Sequence, residues 1–104
     1  MAYTNWKTDY GTTFKITDVE ISYYSRTGNT AILLYNREEG PIATATIGVA
    51  EHIDPRYVAI DTNNCGESIC NWLYENNIIT SLEPEGYVYS GYCAYPVYRL
   101  AVEV

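Results

Sequence analysis

The stretch Ala59-Ile60-Asp61-Thr62-Asn63-Asn64-Cys65-Gly66-Glu67 constrains this chain most, because it runs an apolar strand directly into polar capping residues. Asn64 followed three residues later by Glu67 has the form of a capping box, in which the Asn side chain accepts an early helical N–H and the Glu reaches back. The helix opened there is expected to run to about Asn77. On it Cys65, Ile69, Trp72, Leu73 and Asn76 fall at i, i+4, i+7, i+8 and i+11, one face of a 3.6-residue repeat that must cover apolar surface elsewhere.

That surface is a sheet, because the flanking sequence alternates with period two. Phe14 and Ile16, then Val19, Ile21 and Tyr23, change phase across Thr17-Asp18, as in one long strand with a bend or bulge. Ser25-Arg26-Thr27-Gly28-Asn29 turns the chain into Ala31-Ile32-Leu33-Leu34-Tyr35, and Asn36 to Pro41 turns it again into Ile42–Gly48, completing an antiparallel meander. The segment Val49–Arg56 is a connection, since Asp54-Pro55 disfavours helix at Asp54. Tyr57–Ile60 is a short strand into the cap. After the helix, Ser81–Gly86 is a loop, Tyr87–Ser90 a strand, and Tyr95–Val104 a closing strand with Tyr98, Leu100, Val102 and Val104 on its buried side against Arg99, Ala101 and Glu103. Pro96 lacks a ladder donor, which predicts an edge or a bulge at that end. The expected fold is therefore α+β: an antiparallel sheet of about five strands with a single helix on one face. At 104 residues one domain, 1–104, is expected, with 1–11 a loosely ordered N-terminal arm pinned by Trp6.

A formal charge of −7 opposes binding to a nucleic-acid backbone, which needs clustered Lys and Arg, and favours a protein partner with a basic surface. No apolar run approaches the roughly 20 residues that cross a bilayer, and no leader pattern opens the chain, so no membrane association and a soluble, cytoplasmic protein are expected. Cys65, Cys70 and Cys93 make an odd set suited to reduced, buried thiols. Together with His52 they lack zinc-ligand spacing, the scattered carboxylates lack a calcium-loop pattern, and no cofactor or metal is expected.

Four groups of residues carry candidate functions. Asp18 and Glu20 share a strand face and can join Glu38-Glu39 in a negative stripe that imitates nucleic-acid phosphates to a binding protein. Tyr87 and Tyr89 share a face within a tyrosine-rich terminal region, the chain having 12 tyrosines against one phenylalanine, and rigid amphipathic rings of this kind anchor protein interfaces. Asp61, Asn63, Tyr92 and Tyr95 form the alternative, a pocket for a nucleotide-like ligand. A third alternative is a Cys65 nucleophile at the helix N-terminus, with His52 as base and Asp61 as orienter. The alternation and capping patterns place Cys65 on the sheet-facing stripe, which favours a cap over catalysis, and no enzymatic activity is expected.

Gly28-Asn29-Thr30-Ala31-Ile32-Leu33-Leu34, Pro41-Ile42-Ala43-Thr44-Ala45-Thr46, Asp61-Thr62-Asn63-Asn64-Cys65 and Ser90-Gly91-Tyr92-Cys93-Ala94-Tyr95-Pro96-Val97-Tyr98 together resemble a domain-of-unknown-function family of small acidic proteins carried by phages and conjugative elements of gut bacteria. The resemblance extends from about Tyr23 onward. Where the family pattern has a proline and a tryptophan after the Cys65 position, this chain has Gly66-Glu67, so the helix start differs locally. The resemblance implies a mobile-element accessory protein in a bacterial host cell, with no established activity. By analogy of setting it implies a host-defence inhibitor of the anti-CRISPR kind.

Overall fold

The first sheet is built by the alternating segments that follow Thr17. The structure, a computed structural model, describes residues 3–102. Numbered in chain order, the strands are β1 (Trp6–Lys7), β2 (Thr13–Phe14), β3 (Asp18–Tyr23), β4 (Thr30–Asn36), β5 (Gly40–Thr44), β6 (Tyr57–Ala59), β7 (Gly86–Ser90) and β8 (Cys93–Arg99). The helices are α1 (Thr62–Cys65) and α2 (Ser68–Glu75). Strands β3, β4 and β5 form an antiparallel meander with an irregularity between Leu34 and Tyr35. A second sheet has the order β6-β8-β7, and β1 pairs with β2 in a third.

The two larger sheets are stitched together where β5 runs on. Thr46 bridges Ile60, the Asp61 N–H donates to the Ala45 carbonyl at 2.8 Å, and the Ile47 N–H donates to the Ala59 carbonyl at 3.1 Å. The result is a run of strands β3-β4-β5-β6-β8-β7 whose outermost members are β3 and β7. Its main core contains Ile32, Leu34, Val58, Ile60, Ile69, Leu73 and Ile79, all 0–1% exposed, and each such side chain contributes about 1.5–3 kcal/mol by leaving water. The opposite face of the second sheet has its own small core, where Ala59, Val88, Tyr95 and Val97 meet Val49 and Ile53 of the connecting loop.

This architecture corrects the expected one. Among the described residues the chain is mostly β, with eight strands in three sheets and two short helices, rather than a five-strand sheet with one helix. The long bent strand divides at Lys15–Thr17. Phe14 pairs with Trp6, the Lys15 carbonyl accepts from Asn36 Nδ2, and β3 begins only at Asp18. The segment read as an arm supplies β1, and Trp6 is 4% exposed with its indole N–H donating to Ser68 Oγ at 3.2 Å. The single helix is broken at Gly66, whose φ of 76° is open to glycine and whose Cβ, were one present, would meet the Asp9 carboxylate. Asp61 caps α1 by accepting the Asn64 N–H at 3.2 Å, whereas α2 is capped from a distance: the Asp9 carboxylate accepts the Glu67 and Ser68 N–H groups, each at 3.1 Å. Local spacing proposed Asn64 and Glu67 as a reciprocal box, and the tertiary contact with Asp9 overrides it.

The far end of α2 closes as helices commonly do, with Asn77 left-handed at φ 61° and the Ile78 N–H reaching back to the Leu73 carbonyl at 2.8 Å. The closing strand ends at Arg99, not at Val104, and of its expected buried side Tyr98 and Leu100 are buried while Val102 is 37% exposed. Glu103 and Val104 lie outside the described residues, as do Met1 and Ala2 of the arm. Pro96 occupies the central strand rather than an edge. It is tolerated there because the Ile60 carbonyl, which a Pro96 N–H would have met, accepts the Thr62 N–H at 2.9 Å, while the Pro96 carbonyl still accepts from Ile60 at 3.0 Å.

Candidate functional site

The acidic candidates gather on the β3 side. On β3 the carboxylates of Asp18 and Glu20 alternate with the half-buried Val19 and Ile21. Asp18 accepts the Thr17 hydroxyl at 2.7 Å and lies 3.4 Å from Arg37, and these contacts, the Thr17 hydroxyl foremost, hold it below the usual carboxylate range. Glu20 accepts the Tyr35 hydroxyl at 3.3 Å. Burial and then the neighbouring Glu20 carboxylate raise the Tyr35 phenol. Glu38 and Glu39 extend from the β4–β5 turn, which is tied by the Asn36 side chain accepting both backbone N–H groups at 2.9 Å. Of these four carboxylates Arg37 pairs with Asp18, so the stripe is partly neutralised there.

Tyr87 and Tyr89 stand on the other outer strand. The β7–β8 hairpin turns on Gly91, at φ 61° in the first central position that a type II′ turn gives to glycine, with Tyr92 beside it. Tyr87, Tyr89 and Tyr92 are 57%, 72% and 109% exposed, while Val88 between the first two is buried. In a two-residue hairpin the closing pair, Ser90 and Cys93, shares ladder hydrogen bonds, so Val88 and Gly86 also face β8. The backbone N–H and C=O groups of Tyr87 and Tyr89 consequently point away from the sheet.

Tyr87 sits between two clefts. One, of about 360 Å³, opens between α2 and the sheet and is lined by Glu67, Cys70, Asn71, Pro84, Tyr87 and Tyr98 among others. Burial, then the adjoining Cys70 thiol, pushes the Tyr98 phenol up, and burial raises Cys70. The second, of about 410 Å³, lies on the opposite face and is lined by Glu51, His52, Asp54, Tyr57, Glu85 and Tyr87 among others. There Asp54 is held at about 2, chiefly by hydrogen bonds from the Arg56 side chain at 2.9–3.0 Å.

The proposed ligand group does not converge. Asp61 is 6% exposed and spends its carboxylate on Asn64, Asn63 is exposed, Tyr92 stands at the hairpin tip, and Tyr95 is buried in the smaller core. None of the four lines either cleft beside Tyr87. The cysteine arrangement does not form either. His52 Nδ1 engages the Thr27 carbonyl at 3.1 Å, and Cys65 Sγ rests 3.6 Å from the Thr44 carbonyl. Burial, with Asp61 and Cys70 adding, pushes the Cys65 thiol up to about 11, the reverse of an activated nucleophile. Among the described residues no three His, Cys, Asp or Glu side chains are grouped to hold a metal ion. No helix among them is long and apolar enough to cross a membrane.

Residues that the sequence reading did not assign to the site include Glu67 and Cys70 in one cleft, Glu51 and Glu85 in the other, and Asp9 behind the first. Glu67 was legible only as a cap, and nothing local links Asp9 to a helix 58 residues on. The signal that was present is the uncharged run Gly86-Tyr87-Val88-Tyr89-Ser90, bounded by Glu85 and Gly91.

Residues 18–103 match the family model described as Domain of unknown function (DUF4313). The match spans both outer strands, the clefts and both helices, and β1, β2 and Asp9 precede it. No curated protein and no solved structure matches the chain.

Proposed function

We propose, from the premise that this chain belongs to the DUF4313 domain family, that it is a non-enzymatic binding protein whose target is a protein with a basic surface. The observation that carries this reading is the outer strand β7, which presents Tyr87 and Tyr89 to solvent on a molecule of formal charge −7. Large rigid rings with a polar tip give contact area at small entropic cost, and the negative field steers a cationic partner toward them. Basic surfaces of this kind are those that nucleic-acid-handling proteins turn toward phosphates. In the setting that the sequence resemblance implies, a phage or conjugative element, the target is a host nucleic-acid-handling or defence protein and the binding inhibits it, in the manner of an anti-CRISPR protein.

The test is affinity capture from a bacterial host lysate with the wild-type chain and with Tyr87→Ala/Tyr89→Ala and Glu38→Lys/Glu39→Lys variants, followed by dissociation of the captured complex at rising salt. Capture of a basic protein that weakens steeply with salt and is lost in the tyrosine variant is the expected result. Capture that neither salt nor either variant changes would remove the reading.

A further inference from the structure

We propose that β7 is a docking edge that takes up an extended segment of the basic partner as an added strand, with arginine or lysine at alternate positions over Tyr87 and Tyr89. This rests on the binding reading above and specifies the partner's shape. Three observations converge on it. The backbone groups of Tyr87 and Tyr89 point away from β8, and among the described residues no backbone hydrogen bond outside the sheet ladders involves residues 86–90. An added strand therefore finds the donors and acceptors of both tyrosines free.

The side chains of the same two residues define the face on which the segment is read. Tyr87 and Tyr89 project on the α2 side of the sheet, Tyr87 lining the cleft that also holds Glu67, so that cations laid over the two rings follow one face of the segment toward that carboxylate. Alternation then turns the intervening residues of the segment toward the other cleft, where Glu51 and Glu85 lie.

Charge selects this occupant over a second copy of the chain. The carboxylates of Glu51, Glu67 and Glu85 make no ion pair among the described residues, Arg56 is already held by Asp54, and Arg99 at the end of β8 is likewise unpaired. A second copy would bring the same three carboxylates and another formal −7 to the edge, whereas a segment with Arg or Lys at every second position brings cations to Glu67 and adds no negative charge beside Glu51 and Glu85.

The experiment uses an acetylated, amidated octapeptide of alternating Arg and Val, titrated by fluorescence polarisation into the full chain, and two versions of it N-methylated at alternate residues in opposite frames. Methylation in the frame that faces β7 is expected to weaken binding at least about tenfold, and methylation in the other frame to leave it unchanged. Tyr87→Ala is expected to weaken it about 30-fold, with Tyr87→Phe, which keeps the ring, close to wild type. Equal binding of both methylated peptides would overturn the added strand, as would failure of the unmethylated peptide to bind at low salt. A wild-type dimer by light scattering that Tyr87→Ala/Tyr89→Ala converts to monomer would also overturn it, giving the edge to a second copy. Peptide binding lost in Glu38→Lys/Glu39→Lys but retained in Tyr87→Ala would overturn this inference and leave the basic-partner reading standing, because the peptide would then sit on the β3 side.

Discussion

Strands β3 and β7 close the two ends of the same run of strands, and they treat their free edges in opposite ways. β3 places Asp18 and Glu20 beside its edge and draws Arg37 and the Tyr35 hydroxyl onto them, so that any strand approaching it must desolvate charges already in use. β7 carries no charge between Gly86 and Ser90 and no proline, and its outward backbone groups are framed by two exposed tyrosine rings. Charged or shortened edges are how soluble proteins keep strands from adding to one another. An unprotected edge with rigid amphipathic side chains is instead suited to one intended addition. On the proposed reading, β3 serves long-range attraction and β7 the contact.

The largest expected effect separates these roles directly. Replacing Tyr87 and Tyr89 together by alanine should cost the complex with the captured basic partner about 2–4 kcal/mol, a ~30- to ~1000-fold rise in Kd by titration calorimetry. Charge reversal at Glu38 and Glu39 should instead lower the association rate and flatten its salt dependence, with less than about a tenfold change in Kd measured by stopped-flow mixing and titration. The reverse ranking would make β3 the contact edge and end the comparison as drawn.

Next in size is a stability effect on the wall of the β7 cleft. Asp9→Ala removes the carboxylate that accepts two N–H groups at the start of α2 and should lower unfolding free energy by about 1–2 kcal/mol in urea titration. Asp18→Ala at the β3 edge should shift the urea midpoint less, since it gives up one hydroxyl hydrogen bond from Thr17 and a solvent-exposed pairing with Arg37 rather than two backbone N–H groups at a helix start. If both variants behaved alike, the β7 side would be no more dependent on distant support than the β3 side.

The smallest effect concerns pH. Asp54, beside the second β7 cleft, is held at about 2 against an ordinary 3.8 by Arg56. A carboxylate depressed on folding stabilises the folded state above its unfolded value and loses that contribution as pH falls through the folded one. Acid unfolding followed by circular dichroism should therefore be slightly shallower in Asp54→Asn between pH 3.8 and about 2, the variant being slightly less stable than wild type at neutral pH and converging with it at the acid end. A difference that persisted undiminished at the acid end would show that Asp54 supports the β7 side by something other than its charge.

The parts of this fold legible in the sequence are those that neighbours along the chain decide. Short apolar, β-branched and aromatic runs between turn residues located β4, β6 and β7 closely, because such residues fit a pleated, buried surface wherever a strand lies. The Ile69, Trp72 and Leu73 stripe identified the buried face of α2 by its period of 3.6. Less was legible where a local pattern had a competing partner elsewhere. Asn64 and Glu67 matched a capping box, yet Asp9 supplies the cap. Pro96 pointed to an edge, yet Thr62 relieves the carbonyl that the missing N–H would have met and leaves the proline in the central strand. Of the candidate site, the paired exposure of Tyr87 and Tyr89 follows from alternation about the buried Val88. That they stand apart from Asp18 and Glu20, on the opposite outer strand, does not.

By itself the sequence determined the charge, the tyrosine enrichment, the places of β4, β6 and β7 and the apolar face of the helix, because each is a property of composition or of spacing within one segment. Tertiary structure alone decided that β8 is central, that β3 and β7 are outer, that Asp9 reaches Glu67, and that the one continuous helix becomes two. Those outcomes depend on hydrogen bonds between segments far apart in the chain, and a backbone N–H carries no mark in the sequence of the partner it will find.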